Sequence, residues 1–187
     1  SGGLGREVSP LLRAAALPGA SALLWAAARP ATLAALAAAA GRLDASGRPG
    51  LAIQLRAIVR ALGPLQARGS RAAFLQTLRS VIDVHGQHVS AMDRLYLLGP
   101  VPTLIVWGAR DGTIPESHGR AAHAAIPHSR FELLERAAHF PNLEDPEGLS
   151  GALRRWIAET DPYRLTDGDW TELIASRTVR SRRLRAA

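Results

Sequence analysis

The stretch from Val101 to His139 limits what this chain can fold into more than any other part of it. Val101 to Trp107 is a near-unbroken apolar run rich in β-branched residues, the composition of a strand buried on both faces inside a parallel sheet. Gly108-Ala109-Arg110-Asp111-Gly112 follows as a loop. Glu116 to Ile126 carries a helical pattern, Arg130 to Glu135 reads as a second strand, and a second loop bears His139. A strand, helix, strand unit crosses over right-handed in nearly every case. The two strands are therefore expected to be parallel, with both following loops leaving the same carboxyl edge. Asp111 lies four residues past Trp107, and His139 four past Glu135. Parallel neighbours sit about 4.8 Å apart, so matched offsets would let the two side chains meet.

A histidine beside a carboxylate can act as a general base, because the carboxylate fixes the imidazole tautomer and stabilises the imidazolium. Taken singly, each residue also has a plainer reading: Asp-Gly after a strand is common turn chemistry, and a loop histidine is often just solvated. Together, the order apolar strand, W-G-x-x-D, helix, strand, x-H-F-P-x-x-E-x-P, helix closely resembles the C-terminal half of α/β-hydrolase fold proteins. The resemblance runs over roughly residues 1–160, closest at 101–146 and looser before that. It implies that Asp111 is the triad acid and His139 the catalytic histidine. Ala138 stands where that family usually has glycine, and a backbone needing positive φ would tolerate alanine poorly. Glu144 reads either as a brace for the histidine loop or as a solvated acid. Asp145-Pro146-Glu147 reads as a helix start: an N-cap, a proline at the first helical position and an acid in the first turn.

The family keeps its nucleophile on a G-x-S-x-G elbow between a strand and a helix, and no such motif occurs here. Gly148-Leu149-Ser150-Gly151-Ala152 is the nearest approach, but it follows the histidine inside a helical pattern, so Ser150 is not expected to be a nucleophile. The H-G oxyanion segment is missing too. The expectation is therefore a partial α/β-hydrolase fold: the last parallel strands flanked by helices, plus an all-helical lid, with the N-terminal half of the sheet absent from this chain. Residues 1–9 would be the loop after the sixth strand, 10–98 the lid, 99–160 the C-terminal part of the core and 161–187 a basic tail. The resemblance implies a hydrolase of the Ser-His-Asp type acting on an ester-like bond or another small apolar substrate, with no cofactor and no metal. Two alternatives stay open. One is an enzyme like haloalkane dehalogenases or epoxide hydrolases, with an aspartate nucleophile. The other is a non-catalytic binding module of the same fold. Either way this chain alone, lacking the nucleophile, is expected to be inactive.

All 23 basic residues are arginine and the formal net charge is +7, unevenly spread. Residues 1–100 hold 11 arginines against 4 acids, whereas residues 101–160 hold 6 against 8. Positive charge on the lid can attract acidic substrates, membrane surfaces or nucleic acid, but scattered solvated arginines are the preferred reading. The arginine-rich end, SRTVRSRRLRAA, lacks the interleaved aromatics of a nucleic-acid binder, so no nucleic-acid partner is expected. With no cysteine, disulfides, thiolate metal sites and a cysteine nucleophile are excluded, and a cytoplasmic setting is expected. The longest uncharged stretch, Ala14 to Ala28, has 15 residues and a proline–glycine break, short of the ~20 that a membrane span needs.

Along the lid, the alanine- and leucine-rich run from Pro10 to Gly41 predicts two or three short helices, with Trp25 as packing. Residues 42–50 read as a turn-rich connection. Leu51 to Leu62 predicts a helix with Leu51, Leu55, Ile58, Val59 and Leu62 on one stripe. Ser70 is expected to cap a helix in which Phe74, Leu75, Leu78 and Ile82 share a face. His85-Gly86-Gln87-His88 reads as a loop, its histidines short of a third metal ligand. Ser90 to Leu98 predicts a last short helix, with Tyr96 in the core. An apolar lid suggests an apolar acyl or alkyl substrate. After His139, Leu149, Leu153, Trp156 and Ile157 are expected to pack a helix on the sheet, and Trp170 to Ala175 forms another.

Overall fold

The computed structural model describes residues 3–175. Helices fill its first half: α1 (Pro10–Ala16), α2 (Ala20–Ala27), α3 (Pro30–Ala45), α4 (Pro49–Leu62) and α5 (Arg68–Arg79), with a 3₁₀ turn at Gly63–Gln66. A short antiparallel hairpin, β1 (Ile82–Asp83) and β2 (Gly86–Gln87), and a 3₁₀ helix at Met92–Leu98 lead to β3 (Thr103–Gly108). Then come α6 (Ser117–Ala125), β4 (Ser129–Leu134), the single turn α7 (Pro141–Glu144) and α8 (Pro146–Glu159). Proline at the first or second helical position opens α1, α3, α4, α7 and α8, where its missing N–H costs nothing. A further helix occupies 167–175, started by a reciprocal cap. The Thr166 amide donates to the Asp169 carboxylate at 2.7 Å and the Asp169 amide to the Thr166 hydroxyl at 3.2 Å. The arginine-rich end from 176 lies outside the described residues, as does Ser1.

β3 and β4 pair in parallel, Thr103 opposite Ser129 through Gly108 opposite Leu134, and α6 makes the crossover. α6 and α8 both pack on the two strands. The main apolar cluster joins distant parts of the chain: Val8 from the N-terminal segment, Leu78 from α5, Ile82 from β1, Trp107 from β3 and Ile114 from the loop after it. Each such side chain contributes about 1.5–3 kcal/mol on burial. A second cluster seats α6 on the 3₁₀ helix through Leu95, Ala122 and Ile126.

Several sequence expectations are corrected here. β3 is only half-buried along Thr103–Val106, because among the described residues it pairs on one edge alone. α3 runs on to Ala45, shrinking the expected connection. α4 buries its small residues, Ala52 and Ala57, while Leu51 and Ile58 are exposed. It packs along α3. Ser70 sits inside α5 and caps nothing. Ile82 has left that helix for β1 but still joins the cluster. The expected loop at 85–88 is half hairpin. Asp83 Oδ1 accepts the His85 amide at 2.7 Å and Gly86 takes a φ of 112°, a left-handed turn that glycine enters without strain. His88 Nδ1 lies 3.9 Å from Asp83. The short helix expected before β3 is present as a 3₁₀ helix, Met92–Leu98, with Tyr96 partly buried within it. On α8 the residue buried is Ala152, whereas Leu153 and Ile157 are exposed. Trp25 is half exposed, with the Arg29 guanidinium over its ring at 5.2 Å. Among the described residues no single helix is long and apolar enough to cross a membrane. α2 and α3 reach that length only together, and they are bent by 57° where they meet.

Gly108 closes β3 beneath the loop that bears His139. A Cβ there would lie 2.1 Å from the Ala138 carbonyl oxygen and 2.7 Å from that of Ala137, both backbone atoms that cannot turn aside. We expect Gly108→Ala to cost about 1–3 kcal/mol, a fall in Tm of several degrees. Thermal melting followed by circular dichroism reads this directly; an unchanged Tm would show that the loop yields freely.

Candidate active site

Asp111 and His139 stand on the two loops that leave the carboxyl ends of β3 and β4. The ladder continues past the strands. The Ala109 amide donates to the Leu134 carbonyl and the Arg110 amide to the Ala137 carbonyl, both at 3.0 Å. These bonds stitch the loops together one residue before Asp111 and two before His139. His139 Nδ1 then lies 3.0 Å from Asp111 Oδ2 and 3.2 Å from Oδ1. Because its partner is a carboxylate, Nδ1 carries the proton, and Nε2 is the ring nitrogen left for a reacting group. The expected matching of offsets is not what joins them. Trp107 pairs with Leu133 rather than Glu135, so His139 is six residues beyond Leu133 while Asp111 is four beyond Trp107. The buried Ala137-Ala138 step absorbs the difference.

Asp111 is held from several sides. Its Oδ1 accepts the amides of Thr113 at 2.8 Å and Ile114 at 2.9 Å, the ring of hydrogen bonds that Asp-Gly turn chemistry makes possible. Its side chain is 6% exposed, against 29% for His139. Burial pushes the Asp111 carboxyl up, but the His139 hydrogen bond, the Ile114 and Thr113 amides and the imidazole charge together outweigh it, so the group sits below the usual carboxylate range. The Phe140 ring stands edge-on to the imidazole at 5.0 Å.

Glu144 is the brace of the histidine loop. One oxygen, Oε2, accepts the Ala138 amide at 2.6 Å and the Phe140 amide at 3.1 Å, gripping the residues on either side of His139. Ala138 needs no positive φ, since no described residue other than glycine has one, and the alanine is simply buried. Asp145 caps α8 through the Gly148 amide at 3.1 Å and receives Arg136 at 3.2 Å. Ser150 lies within α8, its hydroxyl donating to the Glu147 carbonyl. Among the described residues no three histidine or acidic side chains gather as metal ligands.

A second histidine–carboxylate pair was not foreseen: His118 Nε2 lies 2.8 Å from Glu7 Oε2. The signal was present, because His118, Ala122 and Ile126 share helical spacing and all are buried. A histidine on a buried face calls for a partner.

Comparison with protein-family profiles finds no match. The chain is 36% identical over 164 residues to uncharacterized proteins of Mycobacterium tuberculosis and Mycobacterium bovis, covering 87% of this chain and 48% of theirs. It thus spans about half the length of these relatives. It is 28% identical over 100 residues to a pimeloyl-[acyl-carrier protein] methyl ester esterase of Neisseria meningitidis, covering 54% of this chain and 30% of that protein. Among solved structures, a thermophilic esterase from Thermogutta terrifontis matches with a TM-score of 0.51 at 23% identity, over 82% of this chain and 52% of the other. At that identity the likeness is one of fold: a mixed α/β chain similar to an esterase.

Two outcomes are expected. Glu144→Ala leaves two part-buried amides without their acceptor, so hydrogen exchange at Ala138 and Phe140 should quicken about tenfold or more, with little change in β4. The second concerns pH. Asp111 titrates lower folded than unfolded, so its stabilising contribution is present above the unfolded value of about 3.9 and is lost as pH falls through the lower folded value. Asp111→Asn should therefore be less stable than the parent by about 1–3 kcal/mol at neutral pH. That gap should narrow below about pH 4, as urea melts at several pH values would show; a gap that stays constant down to strongly acid pH would refute the assignment.

Proposed function

We propose that this chain carries the acid and the histidine of an α/β-fold hydrolase, Asp111 and His139. The contact that supports this is the 3.0 Å hydrogen bond from His139 Nδ1 to Asp111 at the carboxyl ends of two parallel strands. In this reading residues 10–98 form the lid over the site, 99–160 belong to the catalytic core and 161–187 form a basic tail. The nucleophile comes from residues outside these 187. The esterases that the chain resembles in fold and sequence support an ester as the scissile bond. The many apolar side chains of the lid helices support a small substrate with an apolar acyl or alkyl group, and the lack of cysteine suits a cytoplasmic setting.

The chemistry follows from the tautomer. Asp111 keeps the proton on Nδ1, leaving a basic lone pair on Nε2. A serine hydroxyl attacks the ester carbonyl and Nε2 takes its proton. The C–O bond to the leaving alcohol then breaks as Nε2 delivers that proton to the departing oxygen. A water then attacks the acyl-enzyme, its proton passing through Nε2 to the serine oxygen, and the carboxylic acid leaves. Asp111 stabilises the imidazolium in both steps and remains ionised. With an aspartate nucleophile instead, the same imidazole would only activate the water, and the substrate would be a haloalkane or an epoxide. A non-catalytic module of the same fold would have no nucleophile at all.

The coding sequence upstream of Ser1, expressed with this chain, tests the proposal. We expect an elbow serine and turnover of a short-chain nitrophenyl ester, reduced about 10³-fold or more by His139→Ala. The 187-residue chain by itself should show none. An upstream frame with no elbow, or turnover indifferent to His139→Ala, would overturn the reading.

A further inference from the structure

We propose that Glu7 and His118 are positioning residues: a second histidine–carboxylate pair that clamps the N-terminal segment to the acid loop and so fixes the aim of Asp111 at His139. The catalytic meaning of that aim rests on the hydrolase reading; the clamp itself does not.

His118 is the second residue of α6 and its side chain is 2% exposed. Its Nε2 reaches Glu7 Oε2 at 2.8 Å. Because the acceptor is a carboxylate, the proton sits on Nε2, which leaves Nδ1 as a bare lone pair. Nδ1 is buried without a hydrogen-bond partner. That is tolerable for a lone pair, whereas an N–H there would be a donor with nothing to bond. The neutral Nε2–H tautomer is therefore the form the site accommodates. The backbone is shaped around the ring as well: a Cβ on Gly5 would lie 2.5 Å from Nε2, so only glycine lets the segment lie flat against the imidazole. Glu7 is 71% exposed, yet the His118 hydrogen bond foremost holds its carboxyl below the usual range.

What this pair fastens is the loop of Asp111. Two residues after Glu7, the Ser9 amide donates to the Thr113 carbonyl at 2.8 Å. The Thr113 amide itself donates to Asp111 Oδ1 at 2.8 Å. One residue is thus held by Asp111 through its nitrogen and by the N-terminal segment through its oxygen. Next to it, Ile114 is buried in the cluster that contains Val8 and gives its amide to Asp111, while its carbonyl accepts the Trp107 indole at 3.2 Å. The His118 amide then donates to the Pro115 carbonyl at 3.2 Å. Segment 5–9 and loop 111–118 run in opposite directions and are joined at Ser9–Thr113, Val8–Ile114 and Glu7–His118. The last of these is the end stop. Without it, α6 and the loop can slide along the apolar contact, and the amides that orient Asp111 turn with them.

The His118 imidazole cannot act on a substrate, being enclosed and, among the described residues, hydrogen-bonded to Glu7 alone, so its effect must pass through Asp111. A stabilising role alone would leave His139 unchanged, which gives the test its discriminating readout. Imidazole ¹⁵N shifts of the histidine-labelled 187-residue chain at about pH 8.5, where imidazole is neutral, report which ring nitrogen of His139 carries the proton; His139→Gln assigns the signal. In the parent chain we expect the Nδ1–H form. In Glu7→Ala we expect at least half of that population to shift to the Nε2–H form, with Tm falling by a few degrees because the buried His118 Nε2–H loses its acceptor. Glu7→Gln, whose amide oxygen still accepts from His118, should restore the parent pattern. His118→Gln should behave as Glu7→Ala does if it folds; if it does not, Glu7→Ala decides alone. A folded Glu7→Ala chain whose His118 Nε2–H signal is lost but whose His139 tautomer is unaltered would overturn the proposal. The measurement needs neither substrate nor nucleophile, so an inactive extended enzyme would sink the hydrolase reading and leave this result standing.

Discussion

The parallel pairing of β3 with β4, carried past the ends of both strands, is the constraint on which the rest of the site depends. Two backbone hydrogen bonds beyond the ladder, Ala109 to Leu134 and Arg110 to Ala137, set the separation of the loops before either functional side chain begins. A one-residue slip in a strand sends its side chains to the opposite face, and Asp111 and His139 would then diverge. Gly108 makes the arrangement sterically possible, because the histidine loop crosses directly over its Cα. The dyad is thus a consequence of main-chain geometry, and its side chains need only short reaches to meet.

Around that frame, carboxylates act chiefly as acceptors for backbone amides. Asp111 collects Thr113 and Ile114, Glu144 collects Ala138 and Phe140, and Asp145 collects Gly148. Each acid satisfies amides that a tight loop would otherwise leave without acceptors, a penalty of about 1–3 kcal/mol for every group left so. Loops bound this way hold their side chains in fixed directions, the preorganisation that a general base needs to be effective. The opposition at Asp111 is instructive. Burial alone would favour the neutral acid, which cannot hold an imidazolium. The hydrogen bonds that shape the loop also keep the carboxylate charged. Structure and electrostatics are supplied by the same contacts.

The sequence exposed the parts of this arrangement that are local. The apolar run, W-G-x-x-D and the loop histidine were enough to place β3, α6 and β4 and to single out Asp111 and His139. Asp145-Pro146 marked the start of α8, since a cap and its proline are adjacent. What stayed hidden depends on distant partners. The leucine stripe of α4 suggested a buried face, but apolar spacing says nothing of the neighbouring elements; Ala52 and Ala57 are buried instead. Ile82 kept its place in the core but changed element, as a two-residue hairpin has too little periodicity to announce itself. The offset between Asp111 and His139 could not be counted from strand ends because the register was unknown. Glu7 and His118, 111 positions apart, carried no joint signal, although the helical spacing of His118 with two buried residues hinted at half of it.

The hydrogen bonds described for the dyad and its supports come from one continuous span, from Gly5 against His118 through the cap of α8. That has a chemical consequence. In a triad the acid and histidine contribute by fixing a tautomer and stabilising an imidazolium, and both properties belong to the pair before any nucleophile approaches. The nucleophile needs the pair, but the pair does not need the nucleophile. Under the proposed function, a chain spanning half of its relatives would hold the acid and histidine of the site already assembled. In the proposed reading the protonated nitrogen of His139 and the direction of the other are set by Asp111, by the grip of Glu144 and by the segment that runs from Gly5 to Ser9.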